Sequence, residues 1–539
     1  MQQGNATPSA QEDADAPRSP SSSSLLNTYH ENPNRHQNPN RQGDRRYWVS
    51  AFITGLVAAM LLSLSYTLRD NTLEQNGRWV SSKVGLARGV MGAVAYLTTH
   101  TALAQNRLNL GAWHGYQELF HAREMDLRAI DFDVEIPRGS YLSFIHRRDD
   151  RGYFGVRLSN AEGYPSEFFR ASGEGEFLET RPASAALELG KNHVRAVFSA
   201  DRVAVEINGE RAGEAESLAG PRQIGFRGSF RPTYVDDLVF ELRDGSTVRE
   251  SFSGHSNPIP AFAGAALFVL LYAGVMSWRK YSLTYAHSVL AIGAAAFVLL
   301  DWFYLSRLHP RIIHGWGGHQ TNIETEAEVR ARLRRELAAK ALDERARVLF
   351  IGSSQTWGAG ATRLEDAFVT RACARIEAER VPVSCVNAGI SGLAAAQLVE
   401  IYKTEWVDWK PDLVVVNLSN NDWDEDAFEH ALDDLARLDA SKRIATFFVA
   451  EANSTENDEG ELERLERKHA RLRAVAARHG IRVLELHREL ARSRDRGFLW
   501  WDFVHLTSYG QRLAAEYLAK ELEPAIASIQ RRTPQAGVR

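Results

Sequence analysis

Val348-Leu-Phe-Ile-Gly-Ser-Ser354-Gln-Thr-Trp-Gly-Ala-Gly360 carries four apolar residues straight into Gly352 and two serines. A short apolar run closed by glycine reads as a strand buried on both faces, as in a parallel sheet covered by helices. Its end exposes Ser354. Far downstream, Asp502-Phe-Val-His505 sets a carboxylate and an imidazole three residues apart, just before a helical pattern that opens near Ser508. A strand-end serine with a distant Asp-x-x-His supplies the parts for serine nucleophilic catalysis.

The surrounding sequence repeats the strand pattern. Apolar runs fall near 347–351, 383–387, 412–418, 443–450 and 481–485, with helical patterns between them. Such alternation implies an α/β/α domain with a parallel sheet. Ligands of these sheets bind beyond the carboxyl ends of the strands. Ser354 follows the first run, Gly389 and Gly392 the second and Asn421 the third, so three strand ends present polar groups to one crevice.

From about residue 346 to 527 the chain resembles the SGNH/GDSL hydrolase superfamily, on four blocks in order. These are Gly352-Ser353-Ser354, Asn387-Ala-Gly389-Ile-Ser-Gly392, Ser419-Asn420-Asn421-Asp422 and Asp502-Phe-Val-His505. The resemblance implies Ser354 as nucleophile, His505 as general base and Asp502 as the carboxylate that orients it. It also implies an oxyanion hole made of the Ser354 N–H, the Gly392 N–H and the Asn421 side chain. Two positions depart from the family pattern. Ser353 stands where an Asp is usual, which alters local hydrogen bonding, and Ser419 where a Gly is usual, which can change the turn that aims Asn421. The chemistry follows residue by residue: three-residue spacing folds Asp502 onto the imidazole Nδ1–H and leaves Nε2 for the serine. An oxyanion donor of this kind is worth about 3–4 kcal/mol of barrier. No metal or organic cofactor is required.

At 539 residues the chain exceeds one ordinary core, and its net charge of -4 gives no electrostatic case for nucleic acid. Only nine of its 64 basic residues are Lys, so isolated Arg clusters carry no message about phosphate. Residues 1–47 are rich in Ser, Pro, Asn and Gln, a composition that stays disordered. Residues 48–68 and 258–278 are uncharged runs of 21, and a third apolar stretch covers 283–305. At about 1.5 Å per residue the first two reach across a bilayer, so three transmembrane helices are expected. Arg41, Arg45 and Arg46 before the first, with Arg279 and Lys280 between the second and third, favour a cytoplasmic N-terminus. That topology places both large domains outside the cytoplasm, in the periplasm or beyond. Residues 69–130 read as an amphipathic, interfacial connector, and 306–345 as a juxtamembrane and solvated helical linker to the domain at 346–530. The two cysteines, Cys373 and Cys385, fall at similar heights on a helix and the strand after it. A disulfide and a pair of inert buried thiols are both open to them.

Residues 131–250 change texture. Phe132-Asp-Val-Glu-Ile136, Val203-Ala-Val-Glu-Ile207, Ile224-Gly-Phe226 and Val235-Asp-Asp-Leu-Val-Phe240 alternate with turns, Asn208-Gly209 being a strong hairpin signal. The pattern is an antiparallel β-sandwich and resembles concanavalin A-like or laminin G-like domains. That likeness implies carbohydrate binding, with Tyr153, Phe154, Tyr164 and Tyr234 as candidates against the plainer reading of core aromatics. Asp236-Asp237 and Asp149-Asp150 read as turn and edge carboxylates, with calcium as the alternative. His309, His314 and His319 fit no single helix face, and His469, His479 and His487 read as solvated.

The expectation is therefore a multi-domain membrane protein with three spans, a β-sandwich and an extracytoplasmic SGNH-type esterase or acyltransferase. Its partners are an acylated carbohydrate, or another ester, and the lipid bilayer. A lipid or lysophospholipid esterase is the alternative within the enzyme class. A carbohydrate-binding scaffold with an inactive SGNH domain is the alternative outside it.

Overall fold

A computed structural model of the chain describes short segments between residues 79 and 116, nearly all of 118–252 and, apart from 341–344 and 457–458, residues 324–532. The 1–47 tail, the apolar stretches at 48–68, 258–278 and 283–305, and His309, His314 and His319 lie outside the described residues. Among the described residues no helix is long and apolar enough to cross a membrane.

The C-terminal domain is built on five parallel strands, Ala346–Gly352, Val383–Gly389, Leu413–Asn417, Ala445–Val449 and Arg482–Leu484, in the spatial order second, first, third, fourth, fifth. Alternate residues of each central strand face opposite layers. Val348, Phe350, Leu413 and Val415 pack under helices Phe368–Ala378 and Ser508–Arg532. Leu349, Ile351, Val414 and Val416 pack under helices Ala395–Ile401, Glu425–Lys442 and Glu459–His479. Both faces are thus buried, which is why these strands read as continuous apolar runs. Register places Gly352 opposite both Gly389 and Asn417, so the first three strands end at one level. The strand order reverses at the first strand, which makes its carboxyl end the switch point where such sheets bind ligands.

Helix Glu326–Lys340 corrects the solvated-linker expectation. Its Val329, Leu333 and Leu337 form an i, i+4, i+8 stripe buried in the same core as Leu349 and Val386, so the domain begins near residue 324. Dense Arg and Glu on the other faces disguise that stripe. Cys373 and Cys385 form a disulfide with their Cα atoms 6.4 Å apart, joining helix Phe368–Ala378 to the second strand.

The middle region stacks a seven-stranded sheet on an eight-stranded one, and every strand pair within them is antiparallel. Phe132 of one sheet lies 5.2 Å from Phe144 and from Phe226 of the other, at the centre of a shared core. The Asn208-Gly209 turn has φ of 54° and 81°, the left-handed pair a two-residue hairpin needs. The sandwich also begins earlier than expected. Trp79–Ser81 pairs with Glu118–His121, and Arg107–Asn109 pairs with strand Tyr234–Leu242. The described parts of 69–130 are therefore largely sheet strands, where a connector was expected.

The sandwich docks directly on the segment that leads to Asp502. Phe177 and Phe498 exchange backbone hydrogen bonds with Arg496 and Gly175, at 2.9 and 2.8 Å. The Phe498 ring inserts among Tyr153, Phe169 and Phe177, with ring centroids 5.8, 5.6 and 5.0 Å away. Arg227, paired with the buried Glu118, donates to the Trp500 carbonyl and covers the Phe498 ring at 4.5 Å. A second contact joins the Tyr116 and Ser454 hydroxyls at 2.5 Å, while Tyr141 donates to Glu456 at 3.1 Å. Tyr153 and Tyr164 are consequently buried, and Tyr234 lies beneath the Arg107 guanidinium at 4.5 Å. Tyr153 thus serves the domain interface, the site of the clearest departure from the sugar-binding expectation.

Replacing Phe498 by Ala empties that aromatic socket and should cost about 3–5 kcal/mol. The loss is expected as faster tryptic cleavage after Arg494 or Arg496 and a lower urea midpoint in the full chain. Unchanged cleavage would show that the sandwich does not hold this segment.

Candidate active site

Gly352 ends the first strand because nothing larger fits: a Cβ there would lie 1.9 Å from Thr356 Oγ1. The chain then turns into the short helix Ser354–Trp357, which leaves Ser354, 9% exposed, at the carboxyl end of the sheet. Asn387 secures this turn from the second strand, donating to the Thr356 carbonyl at 2.7 Å while its own oxygen accepts the Gly389 N–H at 3.0 Å.

His505 and Asp502 arrive on a tight loop between Trp500 and Leu506, which form a bridge. His505 Nε2 lies 2.8 Å from Ser354 Oγ, and Nδ1 lies 2.7 Å from Asp502 Oδ2. The other oxygen, Asp502 Oδ1, accepts the backbone N–H groups of Val504 and His505 at 2.9 and 2.6 Å. Asp502 is fully buried, so these bonds occupy its acceptors and fix the imidazole's orientation. Gln355 ties the Ser354 turn to this loop: its amide donates to the carbonyls of Ala452 and Val504, each at 2.5 Å.

Gly392 has a φ of +82° and open space where a Cβ would stand. The left-handed backbone favours glycine, and the open space leaves room for a substrate to approach. Asn421 lies beside it, its amide donating to the Leu393 carbonyl at 3.2 Å. The structure thus brings Ser354, His505 and Asp502 into one hydrogen-bonded relay and sets Asn421 against the loop of Gly392. Trp423, two residues on, is the most exposed large aromatic of the domain at 77%.

One functional-site residue escaped the sequence reading. Glu451, two residues past the fourth strand, is fully buried behind the site. Its Oε1 accepts from Ser353 Oγ at 3.2 Å; its Oε2 accepts from Ser419 Oγ at 3.2 Å and from the Asn420 N–H at 2.7 Å. Burial pushes this carboxyl up to about 7 and the neighbouring Asp422 up to about 6. Burial also lowers Lys468, whose ammonium donates to the carbonyls of Ser419 and Asp422. No feature of the sequence around Glu451 distinguishes it from any carboxylate at a strand end. His469 was also misread: it is buried and held neutral, with its value down at about 3, whereas His479 pairs with Asp433 at 2.8 Å. Among the described residues no three His, Cys, Asp or Glu side chains are placed to hold a metal ion. Asp150 lies outside the described residues.

Residues 350–513 match the model of the GDSL-like Lipase/Acylhydrolase family. No curated protein matches the chain. Among solved structures, a lipase/acylhydrolase from Enterococcus faecalis is 19% identical, with 33% of this chain and 96% of that one covered at a TM-score of 0.30. A catalytic mutant of an acetylxylan esterase from Geobacillus stearothermophilus is 18% identical, covering 33% and 94%, also at 0.30. The esterase EstA from Pseudoalteromonas sp. is 14% identical, covering 34% and 98%, at 0.30.

The raised carboxyl of Glu451 sets a sign for stability against pH. A carboxyl whose folded value lies above its unfolded one binds its proton more tightly in the fold, so its contribution is greatest at low pH and is lost as pH rises through about 7. Glu451→Gln removes that dependence. From pH 5 to pH 8 the stability of wild type relative to this variant is expected to fall by about 3 kcal/mol. Parallel urea titrations of the two proteins check it, and a gap that widened in favour of wild type would reverse the assignment.

Proposed function

We propose that the chain is a carboxylic ester hydrolase whose residues 350–513, which match the GDSL-like Lipase/Acylhydrolase family, carry the reaction, with Ser354 as the nucleophile. Ser354 Oγ attacks the ester carbonyl as its proton passes to His505 Nε2, and Asp502 stabilises the imidazolium that forms. The oxyanion is met by the Ser354 and Gly392 N–H groups and the Asn421 amide. His505 then returns the proton to the leaving alcohol. Water, or a second hydroxyl in a transfer reaction, attacks the acyl-serine by the same route in reverse. The observation that carries this reading is the continuous relay from Ser354 Oγ through His505 to the buried Asp502, at 2.8 and 2.7 Å.

We further propose an acyl ester of carbohydrate, acetyl in the first instance, as the substrate. Trp423, two residues from Asn421, is an exposed aromatic with the Arg464 guanidinium 4.9 Å over its ring, a pair of the kind against which a sugar can stack and hydrogen-bond, and the opening at Gly392 leaves room for an acyl group. The sandwich's likeness to carbohydrate-binding modules points the same way. In its cellular setting the enzyme is anchored by the apolar stretches at 48–68, 258–278 and 283–305, with both domains outside the cytoplasm. The pairing of Cys373 with Cys385 supports that placement, because disulfides persist in oxidising compartments.

The full chain should hydrolyse p-nitrophenyl acetate, and Ser354→Ala or His505→Ala should each lower kcat by about 10³-fold or more. Wild type as inert as both variants would sink the esterase reading, whereas fatty acid released from membrane lipid, without acetate from glycan, would move the substrate to lipids.

The topology has its own check. In native membranes, a maleimide gel shift at Cys373 and Cys385 should appear only after reduction. Labelling without reductant would place the domain in a reducing compartment.

A further inference from the structure

Behind the relay, one carboxylate touches the loops that follow two strands other than its own. Glu451 leaves the fourth strand and reaches past the third to the first, a path that the strand order first, third, fourth makes short. Its first oxygen holds Ser353, the residue before Ser354, and its second holds Ser419 and the N–H of Asn420, the residue before Asn421. The chain on either side of Asn421 is held as well: Lys468 clamps the carbonyls of Ser419 and Asp422, and Asp422 Oδ1 accepts the Ala395 N–H at 2.8 Å. Glu451 is fully buried, so its three donors take the place of bulk solvation.

We propose that Glu451 is a positioning residue that fixes the separation between the nucleophile Ser354 and the oxyanion amide of Asn421. The proposal rests on the roles given to those two residues above. It accounts for both departures from the family pattern at once. Ser353 and Ser419 each turn a hydroxyl donor toward Glu451. An Asp at 353 would set a second carboxylate against a buried one, and a Gly at 419 would remove a donor. The charge that the family pattern places beside the nucleophile is here delivered from the fourth strand.

Misplacing a reacting group by about 1 Å costs about 100-fold in rate, which sets the scale of the effect. The test uses the full-length chain with p-nitrophenyl acetate. Glu451→Ala and Ser353→Asp should each lower kcat by about 30–100-fold with KM within about threefold of wild type. They should also slow phosphonylation of Ser354 by a p-nitrophenyl alkylphosphonate ester to the same degree; the Oγ–P bond forms there as p-nitrophenolate leaves, through the same oxyanion site. The double variant Ser353→Asp with Glu451→Gln, which moves the charge from one strand to the other, should recover at least about tenfold over Ser353→Asp alone. A carboxylate needed only for folding would not produce that rescue. Should Glu451→Ala fail to fold, Ser353→Asp and the double variant decide the matter. Folded Ser353→Asp with wild-type kcat, or a double variant no better than Ser353→Asp, overturns the proposal while a dead Ser354→Ala leaves the nucleophile standing. A Ser354→Ala variant with wild-type activity overturns both.

Discussion

Everything at the site depends on the register of the first strand between its two neighbours. Because Gly352 lies level with Gly389 and with Asn417, the loops that carry Ser354, Gly392 and Asn421 leave the sheet at the same height. A shift of one residue would invert the faces of the first strand, exchanging Val348 and Phe350 for Leu349 and Ile351. The two helical layers pack against different sets, so each helix face opposes such a slip. Close packing at Gly352 and Gly389, where no Cβ fits, draws the nucleophile turn down onto the strand ends.

His505 and Asp502 come to this frame by a different route. Their loop is anchored on two sides: Leu499, Trp500 and Leu506 pack into the core of the C-terminal domain, whereas Phe498 turns into the sandwich. The Trp500 carbonyl, two residues from Asp502, is held by Arg227 of the sandwich. Ser454, bonded to Tyr116 of the sandwich, also donates its backbone N–H to the Phe503 carbonyl, at 2.9 Å. The two halves of the relay thus have different supports, Ser354 the sheet, and His505 a loop held by the domain's own core and by the sandwich together. The sandwich is a structural partner of the active site, whatever else it binds.

What could be read from the sequence follows from the range of each signal. The five strands and the four blocks were legible because apolar runs, glycines and Asp-x-x-His are local patterns, and they fall within a residue or two of the observed elements. Strands Trp79–Ser81 and Arg107–Asn109 were not, because three residues show no period and the strand that joins Arg107–Asn109 to the sheet lies more than 100 residues away, at Tyr234. Helix Glu326–Lys340 hid its stripe of Val329, Leu333 and Leu337 among charges. His469 looked solvated in a charged helix, yet it faces inward beside His487, 5.8 Å away. Each miss concerns a residue whose environment is made by another part of the chain.

Ser353 and Ser419 look like defects for the same physical reason. Position by position, a Ser in place of Asp removes a charge beside the nucleophile, and a Ser in place of Gly stiffens a turn. Only the strand order shows that both hydroxyls converge on one carboxylate, with Lys468 on the far side of the same turn. A carboxylate at 353 would lie directly against Glu451, whose carboxyl burial already pushes up, and one of the two would have to hold a proton. Ser353 is therefore the residue that Glu451 permits. In this chain the two substitutions and the acidic residue make sense as one unit, in which changing any member alone leaves a donor, an acceptor or a charge without its match.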